Sequence, residues 1–308
     1  MGNQADADFE PRRYQVRHRT TYLYEEDVTG CYERGCLRPR DTPSQHVISN
    51  DIEVTPEPDL MADHVDHFGN HSHYVEVRTP HTELSVTKTS LVDVDWPRAD
   101  LDQLNQHTVA QAVATLRDDA DPVERTSYLL PSALVDLAPS VHAYAARILT
   151  ADKPLGDALV DLTRTIFADF SYAKGATSVK TTLPELLDKK EGVCQDFAHL
   201  AVGCLRSIGL PGRYVSGYIE TQPPPGKPKL AGSDASHAWA AAMVPGGGWI
   251  DMDPTNDHLA DSRYIVTAWG RDFRDVSPLK GVIFTESPSS KLEVAVDVTR
   301  VDATDESD

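Results

Sequence analysis

Apolar and polar positions alternate from Tyr14 to Tyr24, putting Tyr14, Val16, His18, Thr20, Tyr22 and Tyr24 on one side and Gln15, Arg17, Arg19 and Thr21 on the other. A period of two is that of a β-strand with one wetted face. The alternation returns over 46–54, 72–79 and 83–94, and Phe68-Gly69-Asn70 supplies turn residues between two of these segments. Residues 1–97 therefore read as an antiparallel β domain.

Trp96-Pro97 ends that pattern. Residues 98–127 are polar, with Asp118, Asp119, Asp121 and Pro122 clustered, and read as a connector. Beyond them the period changes to that of a helix. Ser140 is placed to cap a helix running to about Leu149, and Leu155, Leu159, Leu162, Ile166, Phe167 and Phe170 keep helical spacing through a second. Thr182 with Glu185 forms a capping-box pair for a short helix ending near Lys190. Gly192 breaks the chain, and a further helix starts at Cys194, with Phe197, Leu200, Ala201, Cys204, Leu205 and Ile208 on its apolar side and Gly209-Leu210-Pro211 as its stop. Strands follow over 213–220, 237–244 and 249–253, separated by loops at 223–229 and 245–248. The segment 128–285 thus reads as an α+β core, and 286–308 as a strand (291–301) followed by an acidic tail (302–308).

The length of 308 residues suits two domains at roughly 150 residues each. A net charge of −19 repels phosphate backbones and anionic lipid, which argues against nucleic-acid and membrane partners. No run approaches the ~20 apolar residues of a membrane span. Met1 to Asp6 shows no apolar secretion segment, and four cysteines (Cys31, Cys36, Cys194 and Cys204) are too few for a disulfide scaffold, so the expected setting is cytoplasmic.

Cys194 falls at a helix start, where unpaired N–H groups and the positive end of the helix dipole favour a thiolate. Cys204, on the apolar face, reads as packing. A nucleophilic cysteine needs a base, and His237 opens the strand at 237–244. The base needs a carboxylate to orient it. Asp253 ends the next strand across a Gly-rich turn, at the same end of a hairpin as His237, while Asp251 shares its parity and is the rival. His199 reads as a buried hydrogen-bonding residue, and Asp196 as a structural one. His64, His67, His71 and His73 flank the turn at Gly69, with no cysteine pair or metal-binding helix motif framing them, and read as solvated hairpin residues; Cys31 and Cys36 would have to join them from another strand, and no metal site is expected. The acidic residues around Asp257 and Asp261 lack the spacing of a calcium loop. Arg34, Arg38 and Arg40 read as a solvated or ion-paired loop.

Five blocks in order carry a resemblance: Gly192 to Leu200 (GVCQDFAHL), Leu210 to Tyr218 (LPGRYVSGY), Ser236 to Ala240 (SHAWA), Gly248 to Asn256 (GWIDMDPTN) and Trp269 to Gly281 (WGRDFRDVSPLKG). Over about 170–281 the chain resembles the bacterial branch of the transglutaminase-like superfamily, and its first segment resembles the β domain that accompanies such enzymes. The resemblance implies a papain-like core, its catalytic cysteine at a helix N-terminus packed on an antiparallel sheet, with a triad of Cys194, His237 and Asp253. It departs from the family at Ala240-Ala241-Ala242, where a more polar or β-branched stretch is usual. The implied reaction is acyl transfer through a thioester, without a cofactor, on a peptide or protein substrate with water or an amine as acceptor. The Cys194 N–H would serve the oxyanion, with Tyr172 as second donor and Gln195 in support. Hydrolysis, transamidation of Gln and a non-catalytic binding scaffold are the three functions such a chain could serve.

Overall fold

The computed structural model describes residues 8–221 and 236–301. The expected loop at 223–229, the tail at 302–308 and the segment Met1 to Asp6 lie outside them. The first strand, β1 (Arg12–Gly35), is 24 residues long, because the alternation that begins at Tyr14 is carried past Tyr24 by a register shift between Leu23 and Val28. With β2 (Gln45–Thr55), β3 (Leu60–Val65), β4 (His71–Val77) and β5 (His81–Val94) it makes an antiparallel sheet in the order β2-β5-β1-β4-β3. Strand β3 was not foreseen. Its six residues are all exposed, and an edge strand wet on both faces shows no alternation. The β3–β4 turn is the one expected at Phe68-Gly69-Asn70: Gly69 has φ 78°, and the Asp66 carboxylate accepts the N–H groups of Phe68 (2.8 Å) and Asn70 (2.9 Å). His64 and His67 are exposed as expected, but His71 is half-buried and His73 is buried, because β4 turns that side inward against β1. Cys31 and Cys36 are both buried.

Residues 98–127, expected as a connector, carry three helices: α1 (Leu101–Leu104), α2 (Val109–Asp119) and α3 (Pro122–Ser127). Helix α2 is closed at its start by a reciprocal pair, with the Gln111 N–H donating to Thr108 Oγ1 and the Thr108 N–H to Gln111 Oε1, and it buries Val109, Ala112 and Leu116. A stripe of so few apolar side chains among aspartates reads as polar until something packs on it. The helix α4 (Pro139–Ala146) starts one residue before Ser140, with no side-chain cap, and α5 (Leu155–Asp169) follows at the expected place. After the short strand β6 (Ser171–Tyr172), the capping box of Thr182 and Glu185 opens α6 (Leu183–Lys189); β7 (Glu191–Gly192) then leads into α7 (Cys194–Ser207).

The second sheet is antiparallel in the order β11-β10-β9-β8-β12, from β8 (Gly212–Ile219), β9 (Ser236–Met243), β10 (Trp249–Asp253), β11 (His258–Leu259) and β12 (Tyr264–Gly270). Helix α7 lies on it, burying Ala198, Ala201, Val202 and Leu205 in one core with Ala238, Ala240 and Ala242 of β9. Small side chains let helix and strand approach closely, which accounts for the alanine run as packing. After α8 (Phe273–Val276) the chain leaves this core: β13 (Lys280–Thr285) and β14 (Ser290–Val301) both pair with β1, so the end of the chain completes the first sheet.

Side-chain amides join the two halves. Gln45 accepts the Val266 N–H and donates to the Val266 carbonyl, both at 2.8 Å, imitating one more strand beside β12. The fully buried Asn70 does the same for Trp269, donating to its carbonyl (2.8 Å) and accepting its N–H (3.0 Å). Arg40, expected in a solvated or ion-paired loop, instead lies 3.3 Å over the Trp269 ring and donates to Asn70 Oδ1 and to the Phe68 carbonyl. An arginine that stacks and hydrogen-bonds at once tolerates burial, a property that a count of charges does not show.

Candidate active site

Each side chain in the cleft is placed by a local device. Parallel pairing of β6 with β7 sets Tyr172 opposite Gly192, so the two chain segments enter the site side by side. Asp196, buried in the first turn of α7, accepts the Val193 N–H (2.8 Å) and the Thr177 hydroxyl (2.6 Å), closing the helix start around Cys194. Gly192 is required by space: a Cβ there would stand 2.9 Å from Asp196 Oδ2 and 3.0 Å from Leu186 Cδ1. Cys194, the first residue of α7, is partly exposed, whereas Cys204 has no exposed surface. No backbone hydrogen bond is made by the Cys194 N–H among the described residues.

His237 is the second residue of β9, buried beside Trp239, whose ring stacks against it at 6.1 Å. Its Nε2–H donates to Asp253 Oδ2 at 2.7 Å, and the Cys194 sulfur stands near enough to the imidazole to raise its pKa. With Nε2 engaged, Nδ1 is the nitrogen left to the thiol. Asp253, at the end of β10, is fully buried. Its Oδ2 also accepts from Tyr264 Oη (2.6 Å) and Asn256 Nδ2 (2.7 Å), and its Oδ1 from the Thr255 N–H (2.8 Å). Burial alone raises the Asp253 pKa, but the facing His237 and these donors overturn it and hold it down at about 2. Burial likewise lowers that of His237, and the Asp253 carboxylate, with the Cys194 sulfur, overcomes it and raises it to about 10. The outcome is a buried charged pair aimed at a sulfur.

Asp251, the rival carboxylate, stands elsewhere. It accepts the Trp239 Nε1–H at 2.8 Å and faces Arg213 at 3.8 Å, and burial raises its pKa. It therefore holds the ring beside the imidazole and not the imidazole itself. His199 is buried as expected and accepts the Phe273 N–H at 3.1 Å, with its pKa lowered to about 4 by burial. Tyr172 is 53% exposed with its ring against Phe197, beside Gly192 at the entry to α7, and its pKa is raised first by burial and then by the nearby Cys194 and Asp196. Gln195 is half-buried and makes no side-chain hydrogen bond among the described residues. Two members of the site were not foreseen in their roles, Tyr264 and Asn256. The run Tyr264 to Trp269, rich in aromatic and β-branched residues, carries a strand signal that would have drawn Tyr264 to notice.

Comparison with known proteins identifies a family. Residues 14–93 match the bacterial transglutaminase-like N-terminal region, and residues 142–254 match the transglutaminase-like superfamily. A protein of Mycobacterium tuberculosis strain H37Rv is 42% identical over 295 residues, covering 93% of this chain and 92% of that one. A Mycobacterium leprae protein is 36% identical over 292 residues, covering 94% and 99% respectively. A protein-glutamine gamma-glutamyltransferase of Pseudomonas aeruginosa is 35% identical over 71 residues, 23% of this chain and 11% of that enzyme. Among solved structures, a cysteine protease candidate from Cytophaga hutchinsonii superposes with a TM-score of 0.74 at 21% identity, covering 93% of this chain and 91% of that one, and so shares the fold.

Proposed function

The chain belongs to the transglutaminase-like superfamily, and from that premise we propose that it is a cysteine-dependent acyl-transfer enzyme in which Cys194 is the nucleophile, His237 the proton carrier and Asp253 the group that orients it. One observation carries the reading: the imidazole that meets the Cys194 thiol is tied at its other nitrogen, at 2.7 Å, to a carboxylate with four hydrogen-bond donors.

With the proton held on His237 in its charged pair with Asp253, the Cys194 sulfur attacks as the thiolate on the carbonyl carbon of a peptide or carboxamide. Negative charge collects on the carbonyl oxygen, within reach of the unengaged Cys194 N–H, with the Tyr172 hydroxyl as the second donor. His237 returns its proton to the departing nitrogen, which leaves as an amine or ammonia, and a thioester remains on Cys194. Water, deprotonated by His237, then releases the acid and the free thiol. Hydrolysis is the outcome we favour, with a peptide or protein as substrate. Transamidation differs only in the acceptor, and the partial match to a glutamyltransferase keeps an amine acceptor as the second reading. The four free cysteines suit a reducing cytoplasmic setting.

Parallel assays of peptide hydrolysis and of fluorescent-amine incorporation into casein test this. The purified protein is expected to hydrolyse, and Cys194→Ala and His237→Ala to lose activity by a factor on the order of a thousand or more. Amine incorporation that outruns hydrolysis would make it a transferase. Absence of both, together with no preferential alkylation of Cys194, would refute the catalytic reading.

A further inference from the structure

The hydrogen-bonded chain behind the cysteine does not stop at Asp253. On β11, His258 is the cross-strand register partner of Asp253, and the hydroxyl of the fully buried Tyr264 reaches both. Tyr264 Oη stands 2.6 Å from Asp253 Oδ2, 3.3 Å from His258 Nε2 and 3.5 Å from His258 Nδ1. Its one proton goes to the carboxylate, which has none to give. His258 Nδ1–H donates to the Leu259 carbonyl at 3.0 Å, so in the neutral ring Nε2 carries a lone pair and meets Tyr264 Oη as acceptor against acceptor. A second proton, on Nε2, turns that contact into a donated hydrogen bond. Solvent can deliver it: the His258 side chain is 30% exposed, whereas that of His237 is 9% and that of Asp253 is 0%.

The charged groups around the ring come from three directions. Asp261 Oδ2 lies 4.0 Å from Nδ1, and the Arg263 guanidinium, which donates to both Asp261 oxygens, brings Nη2 to 3.4 Å from Nε2. Asp257 precedes His258 in the chain, and Asp253 faces it from β10. Helix α5, packed on β11, carries Asp157, Asp161, Arg164 and Asp169, and none of them hydrogen-bonds or ion-pairs with His258 among the described residues. A proton on Nε2 sets a positive charge 3.3 Å from Tyr264 Oη and makes the phenol a stronger donor to Asp253. Tyr264 is already one of the groups that hold the Asp253 carboxylate in its charged form. A carboxylate drawn further toward Tyr264 grips the His237 proton less, and that proton has to pass to the departing nitrogen. Resting on the catalytic reading of Cys194, His237 and Asp253, we propose that His258 is a positioning residue of the active site: when charged, it tightens the Tyr264–Asp253 hydrogen bond and loosens the proton that His237 returns.

Proton NMR of the full chain with isotope-labelled histidine tests it through the His237 Nε2–H, whose resonance reports its bond to Asp253 and is assigned by its absence in His237→Gln. Between about pH 5 and 8, where histidines change charge, that resonance is expected to shift in one step in wild type and to stay flat in His258→Gln and Tyr264→Phe. Gln keeps an N–H donor near the place of Nε2 without a charge that titrates, and His258 is only half-buried, so its variant remains informative even where Tyr264→Phe fails to fold. In peptide hydrolysis, His258→Leu should cost about tenfold in kcat with KM changed less than about twofold, and His258→Gln should retain more of kcat than His258→Leu while losing the step from the pH profile. A resonance that does not move in wild type, a step that survives in His258→Gln, or a defect carried by KM alone would each overturn the proposal. The resonance needs no turnover, so failure here is distinguishable from failure of the catalytic reading.

Discussion

At the scale of single residues, the imidazole and its carboxylate are stabilised by opposite shifts, and the signs set a pH window. His237 is raised to about 10, so its contribution is complete below its unfolded value of about 6.5 and is lost as pH climbs through about 10. Asp253 is depressed to about 2, so its contribution is complete above its unfolded value of about 3.9 and is lost as pH falls through about 2. Denaturant melts of wild type and Asp253→Asn should therefore differ most between about pH 4 and 6.5 and converge above about pH 10. Tyr264→Phe removes one of the three donors on Asp253 Oδ2. Loss of a hydrogen bond to a charged group is expected to cost about 1.5–3 kcal/mol. It should also move the acid limb of the stability profile upward, since the carboxylate loses a group that favoured its charged form. A shift in the opposite direction would show that Tyr264 does not tune Asp253. Asp251 acts by a different route. Asp251→Ala leaves the buried Trp239 N–H unmatched, with an expected loss of about 1–3 kcal/mol of stability, and frees the ring that flanks His237.

At the scale of elements, the reactive sulfur depends on how α7 begins. The turn Glu191-Gly192-Val193 is pinned on one side by the β6–β7 pairing and on the other by Asp196, and Gly192 leaves room for both. In Gly192→Ala the new methyl group meets the Asp196 side chain, held by its hydrogen bonds, on one side and the Leu186 methyl on the other. Overpacking of this kind costs about 1–3 kcal/mol, and alkylation of Cys194 by limiting iodoacetamide should slow while that of a denatured control does not. Along the same helix, Ala240 of β9 has no exposed surface and lies in the core shared with α7. Ala240→Leu should lower the thermal midpoint, because a close helix–strand contact has no space for added methylenes.

For the molecule as a whole, the joint between the sheets is built from polar side chains. Gln45 and Asn70 extend β12 with their amides, and Arg40 packs on Trp269. Gln45→Leu strands the Val266 N–H and leaves its carbonyl with the Arg40 N–H at 3.4 Å, an expected loss of about 1–3 kcal/mol. The joint, and not either core, should give way first, so that near-ultraviolet dichroism from the interface tryptophans changes before far-ultraviolet dichroism. Coincident transitions would show that the halves unfold as one unit. The return of β13 and β14 to β1 holds the first sheet together across the joint's loss, because neither the first nor the last part of the chain makes that sheet alone.

The local signals in the sequence determined the strands with one wetted face, the capping box at Thr182, the helix that begins at Cys194 and the candidate chemistry of Cys194, His237 and Asp253. These are legible because alternation, capping and helix stops act over a few residues. The tertiary structure alone decided the rest. Asp251 and Asp253 have the same parity and nearly the same neighbours in sequence, and only the strand's end, the turn that folds Asn256 back and the approach of Tyr264 from β12 separate the carboxylate facing His237 from the one facing Trp239. Helix α2 and the stacked Arg40 were hidden for a related reason: each takes its partner from a distant segment, and a partner far along the chain leaves no period to read; β3 pairs with the adjacent β4 and was hidden because both its faces are wet.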